Sequence, residues 1–96
     1  MIRNVVLAKL KSDHDAALVT QIQDDLRAMN LPGTVSYTIG SDAGLREGNW
    51  DFIIVADFAD VAAYRNYDED DVHNALRAKL APMVDQIARA QLELPD

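Results

Sequence analysis

Trp50-Asp51-Phe52-Ile53-Ile54-Val55-Ala56-Asp57-Phe58 is the stretch that decides the fold. Its apolar residues do not alternate with polar ones: Phe52 and Ile54 point to one side, Ile53 and Val55 to the other. A strand apolar on both sides must be covered on both sides, so it sits inside a sheet. Ile2-Arg3-Asn4-Val5-Val6-Leu7-Ala8-Lys9-Leu10 has the same character, with Val6, Ala8 and Leu10 on one side against Val5 and Leu7. Two further segments read as strands with one wet side. Thr34 to Gly40 alternates Val35, Tyr37 and Ile39 with Ser36 and Thr38, and Gln86 to Glu93 sets Ala88, Ala90 and Leu92 on one side. One-sided strands belong at sheet edges.

Helices fill the intervals. Leu18, Ile22, Leu26 and Met29 share one face of a helix capped by Ser12 or Asp13, and Asn30 with Pro32-Gly33 ends it. Asp60 caps a short helix from Val61 to about Tyr67. The acidic run Asp68 to Asp71 then suits the positive end of a further helix carrying Val72, Leu76, Leu80 and Met83. Ser41 to Asn49, with Gly44 and Gly48, is a loop without phosphate-cradling spacing.

The order is β-α-β-β-α-β with the second helix broken in two. Right-handed crossovers turn it into a ferredoxin-like α+β fold, a four-stranded antiparallel sheet with its helices on one face. The other face then leaves Val5, Leu7, Ile53 and Val55 open to water, which predicts a homodimer with two sheets packed face to face.

Ninety-six residues make one domain, 1–96. A net charge of −7, with no basic stripe or patch, argues against nucleic acid and against an anionic membrane surface. The absence of cysteine excludes disulfides, thiol nucleophiles and thiolate metal sites. No signal peptide or membrane-length apolar run is visible, so a cytoplasmic protein is expected.

The chain resembles the stress-responsive A/B barrel domain family of the dimeric α/β barrel superfamily. The resemblance rests on Ile2 to Lys11, Leu31-Pro-Gly33, Gly44 to Phe52, Ala56-Asp-Phe58 and the Tyr67 to His73 segment. It implies the ferredoxin-like unit paired into an α/β barrel. A plant polyketide cyclase of the family closes a linear tetraketide with a tyrosine–histidine acid–base pair, and the spacing of that pair matches Tyr67 and His73. The family commonly has histidines where this chain has Asn4 and Asp70.

Tyr67 and His73 are therefore the candidate catalytic residues. A neutral imidazole can draw a proton from a carbon beside a carbonyl, and a phenol can steady the resulting enolate. The same residues also suit a structural role, with His73 bonded to a carboxylate or carbonyl at the helix junction. Asn4, Val6, Ala8, Phe52 and Ile54 fall on the helix-facing side of the two central strands and are the candidate substrate-binding residues. The small residues Ala8, Ala56, Ala88 and Ala90 leave room for a cavity there or let the helices come close. Such chemistry needs no cofactor. The acidic run beside His73 lacks the loop and glycine turn of a hard-cation site, so no metal is expected. Two functions follow: a cofactor-independent cyclase or isomerase acting on a small ketone, or a non-catalytic barrel that is stress-responsive or binds a small ligand, for which a small hydrophobic molecule is the candidate.

Overall fold

The computed structural model describes residues 1–95. Strand β1 (Ile2–Leu10), helix α1 (Ala16–Ala28), strands β2 (Thr34–Ser41) and β3 (Phe52–Phe58), helices α2 (Val61–Glu69) and α3 (Asp71–Leu80) and strand β4 (Val84–Glu93) follow one another. A single 3₁₀ turn, Ala81–Met83, joins α3 to β4. The four strands are antiparallel in the order β2-β3-β1-β4. This is the ferredoxin-like arrangement, with the two-sided strands β1 and β3 in the centre and β2 and β4 at the edges. No helix is long and apolar enough to cross a membrane.

The register sorts the strand residues by face. Asn4, Val6 and Ala8 of β1 lie beside Ala56, Ile54 and Phe52 of β3 on the helix side. Val5 and Leu7 lie beside Val55 and Ile53 on the open side, where Leu7 is 40% exposed. The buried core lies under the helices, with Phe52, Phe58 and Ile22 fully enclosed.

Several expectations need correction. Ser12 and Asp13 form a turn in which the His14 N–H donates to the Lys11 carbonyl, so the cap of α1 falls to Asp15, whose Oδ1 accepts from the Leu18 N–H. The inward face is Val19, Ile22, Gln23 and Leu26, and Leu18 stands exposed. Val72 is likewise exposed, and His73 takes the inward place beside Leu76 and Leu80. Trp50 precedes β3 rather than belonging to it. Ala88 and Ala90 pair with Leu7 and Val5, which puts them on the open face and not beside any cavity under the helices.

β4 begins two residues earlier than expected, at Val84, and its helix-side residues Ile87, Arg89 and Gln91 stand opposite Ala8, Val6 and Asn4. The helices pack chiefly on each other, on β2 and on β3, so β4 stays exposed along both faces. Two of its exposed residues, Ile87 and Arg89, border the recess described below.

Candidate functional site

The site begins with a helix break. Asp70 is extended (φ −64°, ψ 134°) and serves at once as the C-cap of α2 and the N-cap of α3. Its backbone N–H donates to the Tyr67 carbonyl, and its Oδ2 accepts from the His73 N–H at 3.0 Å. In one continuous helix, Tyr67 and His73 would point to different sides, because six residues at 100° each leave them about 120° apart. The break removes that difference. The two rings stack, with centroids 3.9 Å apart and planes at 27°.

The same break fixes a proton. His73 Nδ1 lies 2.9 Å from the Tyr67 carbonyl oxygen, which can only accept, so Nδ1 carries the hydrogen. Arg77 Nη2 lies 3.4 Å from the same Nδ1, but a guanidinium only donates. That contact is electrostatic, and Arg77 instead donates to Asp68 at 2.8 Å. Nε2 is left as the basic nitrogen; among the described residues it has no hydrogen-bond partner, and it is not fully buried. Burial first, and the Arg77 charge second, hold the His73 pKa below the ordinary histidine value. The ring is therefore a neutral base at neutral pH.

Tyr67 is buried under α2, its ring against Phe58 and its hydroxyl 2.8 Å from that of Tyr37 on β2. Burial, reinforced by the neighbouring Tyr37, pushes the Tyr67 phenol far above its ordinary pKa, and burial raises Tyr37 as well. Both stay protonated donors. Within the pair only one hydroxyl can donate to the other, so the second proton remains for another acceptor.

Asn4 is buried on β1, and its Oδ1 accepts from Gln91 Nε2 at 2.9 Å. It is thus both a structural hydrogen bonder and part of a wall, because its amide also borders the cavity. With Oδ1 engaged and no orphaned buried atom, Nδ2 is an uncommitted donor among the described residues.

These groups meet in one recess between sheet and helices. It contains about 580 Å³ of empty space, mouth included, of which about 60 Å³ admits the centre of a water molecule. All seven residues singled out from the sequence, Tyr67, His73, Asn4, Val6, Ala8, Phe52 and Ile54, border it. Tyr67 and His73 form one wall together instead of facing each other. Sequence reasoning missed Arg77, Arg89, Gln91 and the hydroxyl of Tyr37. Arg77 was findable, one helical turn after His73; Tyr37 was not, since only the fold joins it to Tyr67. Asp68 and Asp70, members of the acidic run, are engaged with Arg77 and with the α3 cap.

No curated protein matches the chain. Among solved structures, a dimeric ferredoxin-like protein of unknown function from Thermobifida fusca is 31% identical, with a TM-score of 0.86 over 97% of this chain and 90% of its own. A dabb family protein from Mesorhizobium loti is 22% identical (TM-score 0.74, covering 99% and 97%). A hydroxynitrile lyase from Passiflora edulis is 18% identical (TM-score 0.83, covering 99% and 94%). The latter two likenesses speak to fold alone. The profile of the Stress responsive A/B Barrel Domain family matches residues 2–93, nearly the whole chain. With that match over the ferredoxin-like unit described above, the chain belongs to the stress responsive A/B barrel domain family.

Proposed function

We propose that the protein is a cofactor-independent enzyme that moves a proton at a carbon beside a carbonyl, in the manner of an isomerase or a polyketide cyclase. His73 Nε2 takes the proton and becomes imidazolium, while the C–H electron pair passes into an enolate. The hydroxyl pair of Tyr67 and Tyr37, with Asn4 Nδ2, donates to the enolate oxygen. Val6, Ala8, Phe52 and Ile54 hold the ketone's apolar body. Returning the proton to a different carbon isomerises the substrate; attack of the enolate on a second carbonyl instead closes a ring by a C–C bond, the C=O π pair becoming an alkoxide that takes the proton back from the His73 imidazolium. The observation that carries this reading is the Nδ1–H bond to the Tyr67 carbonyl, which leaves Nε2 as the basic nitrogen of a buried, neutral ring. That a hydroxynitrile lyase shares the fold is consistent with small-molecule chemistry on this scaffold.

The test is deuterium exchange into 2-hexanone, followed by proton NMR in heavy water. Wild-type protein accelerates exchange, and His73→Gln lowers that acceleration by roughly 10²–10⁴-fold with the fold retained. Tyr67→Phe also slows it. A second reading, a non-catalytic barrel for a small hydrophobic ligand, draws on the fact that both rings already have protein partners. Binding of 2-hexanone without exchange would establish that reading instead.

The protein acts as a homodimer in this proposal, with Val5, Leu7, Ile53 and Val55 of each copy meeting across the open sheet face. The Thermobifida relative is described as dimeric, and the four residues are contiguous across the two central strands.

A further inference from the structure

The charges around the recess are unbalanced in a way that bears on what enters it. Arg77 is paired with Asp68 at 2.8 Å. Arg89 also borders the recess, on the exposed edge strand opposite Val6, and among the described residues it has no hydrogen bond and no acidic partner. Tyr64 lines the same recess; burial first and Asp68 second raise its phenol pKa, and the Arg89 charge opposes them. The remaining polar groups add donors: the Asn4 amide and the Tyr67 hydroxyl, which is bonded to that of Tyr37. Acceptors are scarce, namely His73 Nε2 and an Asp68 carboxylate already held by Arg77. Elsewhere the wall is apolar, from Val6, Ala8, Phe52, Ile54, Leu76 and Leu80. In a chain of net charge −7, an anion is repelled from most of the surface, so a free cation at a mouth selects where it can bind.

We infer that the recess takes a small oxo acid, its ketone oxygen inward at Asn4 and the tyrosine hydroxyls and its carboxylate at Arg89 on the mouth. The assignment of the inner end rests on the proton-transfer reading above; the anion preference at the mouth does not depend on it. A guanidinium and a carboxylate fit as a two-point pair, which fixes the chain's direction in the recess as well as adding affinity. The carboxylate keeps its outer side in water, so its desolvation is small.

The experiment compares 5-oxohexanoate with 2-hexanone, an uncharged ketone of the same chain length, by ligand-observed NMR titration at low salt. The expected result is about tenfold tighter binding of the oxo acid, in line with a hydrogen-bonded charge at a partly wet site. Arg89→Gln abolishes that preference, and Arg46→Gln, which removes an equal charge outside the recess, retains it. Equal affinities, no binding of either compound, or a preference that survives Arg89→Gln would overturn the inference. Deuterium exchange is read in the same samples. Preferential binding of the oxo acid without exchange supports the anion site and removes the proton-transfer reading, so the two fail separately.

Discussion

The protonation state of His73 is set by its neighbours. The Tyr67 carbonyl fixes the proton on Nδ1, and burial with the Arg77 charge keeps the ring neutral. The acid limb of any exchange activity is therefore expected below about 6.5, the ordinary histidine value. Arg77→Gln removes the opposing cation and frees Asp68, whose charge favours the imidazolium, so that limb moves to higher pH. A pH–rate profile of the variant checks this, and an unmoved limb would leave Arg77 without a part in tuning the base. Residue identity was legible in the sequence at Tyr67, His73 and Asn4, since an imidazole, a phenol and an amide are recognisable wherever they fall. Protonation was not. It depends on a carbonyl six residues back that turns inward only because the helix stops at Asp70.

The helix break is the element on which the site depends. Asp70→Ala loses the side-chain cap of α3 and should cost about 1 kcal/mol of stability in a chemical denaturation curve. It should also loosen the Tyr67–His73 stack, visible as a change in the histidine ring resonances. Gly33 is the other point of tight local demand. It has φ +84°, its carbonyl accepts from the Ala59 N–H, and an added Cβ would come within 2.5 Å of the Ala63 Cβ on α2. Gly33→Ala combines a left-handed alanine with a clash against a helix, and should cost at least about 2 kcal/mol. A denaturation midpoint equal to wild type would contradict that packing. Strand positions were readable because two-sided apolarity marks a central strand whatever surrounds it. Helix faces were less so: α1 turns Val19 inward in place of Leu18, and the two stand three and four residues before Ile22, so helical spacing alone admits either. Along α3 the inward position went to a histidine, which a reading of apolar periodicity passes over.

At the scale of the whole molecule, the open sheet face and the ends of the chain set the behaviour. Val55→Lys or Leu7→Asp places a charge in the middle of the proposed dimer face. Light scattering at micromolar concentration is expected to show a dimer for the wild type and a monomer for either variant; a wild-type monomer removes the proposal. Acid should weaken the fold in two stages. His73 binds its proton less tightly folded than unfolded, so stability falls as pH drops below about 6.5 and stops falling on that account once the folded ring is itself protonated. Asp57, held below the usual carboxylate range by its bond to Arg3, contributes stability that is complete above the unfolded carboxylate pKa and is lost as pH falls through its lowered folded value. Melting temperatures of wild type and His73→Gln between about pH 8 and pH 5 separate the first stage from the second. The sheet and its two-faced character were legible in the sequence because burial follows apolar pattern. The recess was not, since it is bounded by groups brought from opposite ends of the chain. Ile2 pairs with Glu93, and Asn4 bonds to Gln91. A ligand lying between Asn4 and Arg89 thus ties the first strand to the last, across a contact that global unfolding must break. Its binding free energy therefore appears in the unfolding equilibrium of the entire domain, and a thermal-shift screen can find ligands before any reaction is known.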